Sequence, residues 1–305
     1  MRAPPKNPEY EQERAAPATG LPPAHWAADD GSARLWLGDQ ASLFSRLPDE
    51  SVDCIWTDPP YFLSNDGITC RSGRRDSVNK GAWDRSRGAT ADDAFTEAWL
   101  TECRRVLRTH GSIWVSGTLH GYLLVGRWLQ RLGFRLLNDI VWEKPNPPPN
   151  LGCRCFTHAT EIVFWAAKPD ARGKTRHVFH YADMRHENAG RQMKNVWRLP
   201  AAGAQERRHG RHPTQKPLAL VERALRASTE PGALVLDPFV GSGTTGVAAI
   251  TTGRHFIGFE QDAHYAGIAG QRLSEAIAAR QGAASAPAAP VPAATARRPS
   301  RRQRP

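Results

Sequence analysis

No apolar run in this chain is long enough to span a membrane, and no charged-then-apolar leader opens it. A cytoplasmic protein is therefore expected, in a compartment that keeps thiols reduced. Cysteine is scarce and irregular. Cys54, Cys70, Cys103, Cys153 and Cys155 make an odd set without repeated spacing, which excludes a disulfide framework. Cys153, Cys155 and His158 lie close together, but no CxxC pair or second ligand cluster accompanies them, so no metal site is expected. Acidic residues are also short: 30 face 41 Lys and Arg, leaving a formal charge of +11. Arg297, Arg298, Arg301, Arg302 and Arg304 carry about half of that excess in one tail. The surplus points to a polyanionic partner, of which nucleic acid is the commonest.

What is present suits a globular core: hydrophobic residues make up 40% of 305 positions. Residues 1–30, rich in Pro, Ala and charge, read as a loose arm, and residues 281–305, Ala, Pro, Ser and Arg, as a disordered basic tail. Between them strand-like and helix-like segments alternate. Strands are expected at 34–37, 53–57, 112–116, 134–142, 161–167, 233–236 and 255–259. Helices are expected at 91–108, 122–132, 218–228 and 247–252. The alternation predicts a doubly wound, mostly parallel α/β sheet. Two stretches break it, 64–84 and 169–211, and long irregular segments of this kind tend to be functional.

The first chemical signal is Leu-Val-Leu-Asp-Pro-Phe-Val-Gly-Ser-Gly-Thr-Thr at 234–245, an apolar strand running into a glycine-rich turn that opens a helix. Gly241 and Gly243 allow turn geometry and a close approach of backbone to a ligand. No Gly-Lys-Ser/Thr closes the turn, so it is not a phosphate-binding P-loop. Asp237 places negative charge where a pyrophosphate would have to sit, so a cationic ligand suits the position better. S-adenosylmethionine carries an ammonium, a sulfonium and no phosphate. Glu260, ending the next strand, can accept both hydroxyls of its ribose.

The second signal is Asp58-Pro59-Pro60-Tyr61, directly after the strand at 53–57. Two prolines fix the backbone direction and remove two donors. The turn is left rich in acceptors, the Asp58 carboxylate and the Pro59 carbonyl. Acceptors placed this way can hold both protons of an exocyclic amine and free its lone pair to attack a sulfonium methyl. Tyr61 offers a face on which a flipped base can stack. No Pro-Cys dipeptide occurs, which speaks against attack through a ring carbon by a cysteine nucleophile and for amine chemistry.

Together these residues resemble the permuted, beta-group amino DNA methyltransferases, in which the catalytic tetrapeptide precedes the cofactor motif. The His212-Pro213-Thr214-Gln215-Lys216-Pro217 segment strengthens the resemblance, which covers about residues 35–273. It implies a Rossmann-like methyltransferase domain with a catalytic half at 31–168, a target-recognition region at 169–211 and a cofactor-binding half at 212–280. Asp58, Pro59, Pro60 and Tyr61 would be catalytic. Asp39, Asp58, Thr214, Lys216, Asp237, Phe239, Gly241, Ser242, Gly243, Thr244 and Glu260 would bind S-adenosylmethionine. Asp39 would meet its adenine, with Thr214 and Lys216 beside the methionine end.

Family members with Asp in first catalytic position mostly methylate adenine N6, and those with Ser mostly cytosine N4. Asp58, with the stretches at 62–67 and 79–84, points to the adenine branch acting at short DNA sites. DNA contacts are expected from Arg71, Arg74, Arg75 and Lys80 in one irregular stretch, and from Lys174, Arg176, Arg191, Gln192 and Lys194 in the other. The resemblance also makes a homodimer and a cognate restriction endonuclease possible partners, and a place at the nucleoid while acting on DNA. A cytosine-N4 enzyme, a catalytically dead DNA-binding module and an RNA methyltransferase stay open as alternatives.

Overall fold

A computed structural model of the chain describes residues 21–64, 68–71, 74–77 and 79–285. Its strands, in chain order, are β1 (Trp26–Ala27), β2 (Ala33–Leu37), β3 (Val52–Thr57), β4 (Ile68–Arg71), β5 (Arg74–Ser77), β6 (Leu107–Gly117), β7 (Arg135–Glu143), β8 (Thr160–Ala167), β9 (Val196–Arg198), β10 (Leu234–Asp237) and β11 (His255–Glu260). The helices are α1 (Gln40–Phe44), α2 (Ala89–Val106), α3 (Leu119–Arg131), α4 (Tyr181–Glu187), α5 (Leu218–Ser228), α6 (Thr244–Thr251) and α7 (Ala263–Ser285).

Nine strands form one sheet in the order β1-β2-β11-β10-β3-β6-β8-β7-β9, and β4-β5 is a separate hairpin. Five neighbours, β2, β11, β10, β3 and β6, are parallel, and β8 runs against both β6 and β7. The strands alternate between two cores, as the period of two requires. Leu35, Cys54, Trp56, Trp114, Val235 and Phe256 face α5, α6 and α7. Trp36, Ile55, Ile113, Val115, Leu236 and Ile257 face α1, α2 and α3. A sheet buried on both faces explains why its central strands read as nearly unbroken apolar runs. This is the doubly wound, mostly parallel sheet expected from the sequence.

The wiring creates a switch point. From β10 the chain passes through α6, on one face, to β11. From β3 it passes through α2, on the other face, to β6. Neighbouring β10 and β3 thus send their connections in opposite directions. The crevice that opens between their carboxyl ends is where ligands bind in such sheets.

Three expected boundaries shift. Residues 21–30, assigned to a loose arm, include β1, which pairs antiparallel with β2, and Leu21 and Ala24 pack on the core. Trp26 supplies the apolar surface that pins this end, and its indole donates to Ser274 (3.0 Å). At the other terminus α7 continues to Ser285, past the expected limit at 280, because its alanine-rich end is a strong helix former. Residues 1–20 and the remainder of the tail lie outside the described residues. Leu107 and Arg108, expected at the end of a helix, instead open β6, because α2 stops at Val106.

Candidate active site

The turns at 58–61 and 238–243 leave the sheet side by side. Val235 pairs with Cys54 and Leu236 with Ile55, in parallel register, so both strands end at one edge. Pro60 and Gly241 line the same cavity of about 280 Å³.

On the cofactor side the geometry follows from a short stretch of chain. Gly241 (φ 53°) and Gly243 (φ 83°) take left-handed conformations that favour glycine. A Cβ on Gly241 would lie 3.2 Å from the His212 ring, and one on Gly243 3.0 Å from Ala269 Cβ. The Gly241 amide donates to Glu260 Oε2 (2.7 Å) and the Asp262 amide to Oε1 (2.8 Å), which fixes the carboxylate at the cavity wall. Burial pushes the Glu260 carboxyl up to about 7, against those amide bonds. Burial also pushes Asp237 up to about 7, although Thr245 Oγ1 (2.5 Å) and the Phe239 amide (3.0 Å) donate to it.

The rest of the wall is aromatic. Phe239 stands edge-on to Trp99, with ring centroids 5.6 Å apart. His212 is stacked on Trp83 (5.7 Å) and meets Tyr265 edge-on (4.4 Å). Burial, with Lys216 and Lys80 nearby, lowers His212 to about 3, so its imidazole is neutral. Flat aromatic walls, the Glu260 carboxylate and a backbone approach that a side chain at 241 would crowd fit S-adenosylmethionine. Asp39 lines this cavity and also caps α1, accepting from the Ser42 amide (3.3 Å).

On the catalytic side five separated segments meet. Tyr61 Oη donates to Asp58 Oδ1, and Lys216 Nζ donates to Asp58 Oδ2 (2.5 Å) and to Tyr61 Oη (2.9 Å). Ser116 Oγ lies 3.2 Å from Tyr61 Oη. Glu161 Oε2 is 3.4 Å from Lys216 Nζ, and Lys144 pairs with Glu161 Oε1. Burial raises the Asp58 carboxyl, a shift that Lys216 only partly offsets. Burial also tends to lift Glu161, but Lys216 and Lys144 outweigh it and hold this carboxyl below its ordinary range. Beneath the tetrapeptide, fully buried Asp84 accepts the amides of Tyr61 (2.7 Å), Phe62 (2.9 Å) and Leu63 (3.2 Å). One carboxylate therefore sets the exit path of the catalytic turn.

The expected site residues divide. Asp58, Pro60, Tyr61, Asp237, Phe239, Gly241 and Glu260 come together at this edge, and Pro59 lies in the same turn. Ser242 and Thr244, expected at the cofactor, are engaged by buried Arg272 of α7, which donates to Ser242 O (2.6 Å) and Thr244 Oγ1 (3.0 Å). The chain dives under α7 as soon as it passes Gly241, so these side chains brace the turn from behind. Thr214 Oγ1 lies 3.2 Å from His212 Nδ1, and Lys216 reaches the Asp58 carboxylate. Lys80, expected on phosphate, is half-buried with Nζ 5.9 Å from the Tyr61 ring centre. Arg71, Arg74 and Arg75 belong to the β4-β5 hairpin.

Lys174 and Arg176 fall at the opposite edge. Because β8 is antiparallel, Ala167 lies beside Ser112, and the Arg176 amide reaches His110 Nδ1 (3.3 Å). His110 and Ser116 are six positions apart in β6, about 20 Å along a strand. Arg191, Gln192 and Lys194 are exposed on the loop before β9. Sequence reasoning missed Ser116, Lys144, Glu161 and Tyr265, and named Trp83 and Asp84 only as part of the 79–84 stretch, without a role. It also missed the 144–159 loop at the site edge, where Phe156 is 96% exposed. No short motif marks Ser116, Lys144, Glu161 or Tyr265, since only the fold brings them near.

The sheet order and the paired turns define an α/β methyltransferase. The chain belongs to the DNA methylase family, whose model matches residues 52–271. It is 43% identical over 251 residues to the Type II methyltransferase M2.MboI of Moraxella bovis, covering 82% of this chain and 91% of that one. It is 46% identical over 235 residues to M2.DpnII of Streptococcus pneumoniae, covering 77% and 87%. Among solved structures it is similar to the M1.HpyAVI–SAM complex, with a TM-score of 0.58, 26% identity, and 79% and 98% of the two chains covered. The PvuII DNA methyltransferase (cytosine-N4-specific) shares the fold, with a TM-score of 0.62, 19% identity, and 84% and 94% covered. The protein is therefore a site-specific, S-adenosylmethionine-dependent DNA methyltransferase. Among the described residues no helix is long and apolar enough to cross a membrane.

Proposed function

We propose that this enzyme methylates adenine N6 within a short DNA sequence, acting on a base flipped out of the stack. The observation that carries the reading is the shared edge: the Asp58 turn and the Gly241 turn open from neighbouring parallel strands, and Pro60 and Gly241 line one cavity. Bound there, S-adenosylmethionine supplies an activated methyl group on a sulfonium. The chain's own residues supply position and electrostatics. Asp58 and the Pro59 carbonyl accept the two amine protons and so orient the nitrogen lone pair. Asp58, raised by burial, is also placed to receive the proton that the methylated nitrogen releases. Tyr61, held by Asp84 through its amide, presents its ring to the base. The preference for adenine over cytosine rests on aspartate in first catalytic position.

DNA approaches the site edge. Arg154, Phe156 and His158 on the 144–159 loop, the β4-β5 hairpin with Arg71, Arg74 and Arg75, and the loop with Arg191, Gln192 and Lys194 are the proposed contacts. Lys174 and Arg176 are too remote to join them. Single-molecule sequencing of DNA from a methylation-free host expressing the chain tests the reading. N6-methyladenine in one short context is expected. Methyl on cytosine N4 alone would end the adenine assignment, and unmodified DNA would end the enzymatic one. A homodimer or a cognate endonuclease is a separate proposal, tested by light scattering and by restriction of unmethylated DNA.

A further inference from the structure

Asp58 faces a conflict that the amine reaction must resolve. Its Oδ1 holds the Tyr61 hydroxyl and its Oδ2 holds the Lys216 ammonium at 2.5 Å. The side chain is only 13% exposed, which leaves little room for a further donor. An ammonium in that place also draws off the acceptor strength that an incoming amine needs.

A second carboxylate waits beside it. Glu161 Oε1 is engaged by Lys144, but Glu161 Oε2 is buried and has no hydrogen-bond partner. It lies 3.4 Å from Lys216 Nζ, within ion-pair range but without hydrogen-bond geometry. Buried carboxylate oxygens are rarely left unpaired. The lysine stem needs a shift of only about an ångström, by rotation near its end, to exchange one oxygen for the other. The Thr214 carbonyl, which accepts from the same ammonium at 3.2 Å, lies on the lysine's own loop.

We propose that Glu161 is a second seat for the Lys216 ammonium: when the target amine enters, Lys216 leaves Asp58 Oδ2 for Glu161 Oε2, and Asp58 becomes free to accept the amine. The idea rests on the amine-methylation reading above. Glu161 is then a positioning residue that never touches the base. Charge stays balanced throughout, because Lys144 and Lys216 face Asp58 and Glu161 in both arrangements.

The test is Glu161→Gln in the full chain, assayed on duplex DNA carrying the mapped site. An isosteric amide offers a weaker seat, so Lys216 stays on Asp58. A fall in kcat of roughly 10- to 100-fold is expected, with KM for DNA and cofactor affinity within about twofold of wild type. Adding Lys216→Met removes the ammonium, and in that background Glu161→Gln should cost nothing further. Glu161→Asp, which keeps a charged seat, should recover part of the rate. Melting curves and cofactor titration confirm folding of each variant. A wild-type kcat for Glu161→Gln would overturn the proposal. So would equal losses in both Lys216 backgrounds. A wild-type chain that methylates no DNA amine would instead overturn the functional reading itself.

Discussion

The two halves of this site are built in opposite ways. The cofactor wall from Asp237 to Tyr265 is largely one strand, turn, helix and strand, with Glu260 held by amides from Gly241 and Asp262. The buried polar cluster opposite it draws Asp58, Ser116, Lys144, Glu161 and Lys216 from separate strands and loops. Asp58 and Lys216 are 158 positions apart in the chain. A contiguous wall can be preorganised by local backbone geometry. A dispersed cluster depends on the sheet to hold it, and its balance of buried charge makes each member sensitive to its partners.

The sharpest way to break this comparison is Asp58→Ala. Methylation should fall by at least about 10³-fold while cofactor affinity stays within about threefold, as read by turnover assays and calorimetry. A matching loss of cofactor binding would mean that the halves are not separable. Gly241→Val works from the other side. It imposes a β-branched residue at φ 53° and crowds His212, so cofactor affinity should drop about tenfold or more, even at saturating DNA.

The pH response sharpens the cofactor half. Glu260 must be ionised to accept two hydroxyls, and burial holds it at about 7, so cofactor affinity should rise between pH 6 and pH 8. Glu260→Gln should bind several-fold more weakly and flatten that rise. The sign for stability is the reverse. Asp237 and Glu260 are both raised above their unfolded values of 3.8 and 4.5 to about 7. The folded state therefore holds more protons between those limits. Their contribution is fully present below about 4 and is lost as pH rises through 7, so the cofactor-free protein should melt higher at pH 6 than at pH 8 from this source.

The smallest effect concerns the two edges of the sheet. Arg154→Ala, on the exposed loop at the site edge, should weaken DNA binding several-fold and reduce its salt dependence. Arg176→Ala should leave both within about twofold. Equal losses measured by fluorescence anisotropy would show that DNA wraps both edges.

Legibility in the sequence followed the same division. Strand and helix positions were readable because both faces of the sheet are buried, so apolar runs and periods survive in the chain. Asp237, Gly241 and Glu260 were readable because strand-end acids and turn glycines carry local signatures. The motif says nothing of the engagement of Ser242 and Thr244 by Arg272, which comes from thirty and twenty-eight positions away. The placement of Lys174 and Arg176 at the far edge was not readable, because composition says nothing of which end of a strand the chain has reached. Glu161 left no signal, since one glutamate at a strand start is unremarkable until Lys216 arrives beside it.

The chain alone determined a doubly wound sheet, two chemically loaded turns and the type of ligand each could hold, because those properties depend on neighbours within a few residues. Only tertiary structure decided that β3 and β10 lie side by side, that a lysine bridges two buried carboxylates, and which edge of the sheet carries both turns. Those outcomes depend on strand order and direction, which are set by packing across the whole sheet.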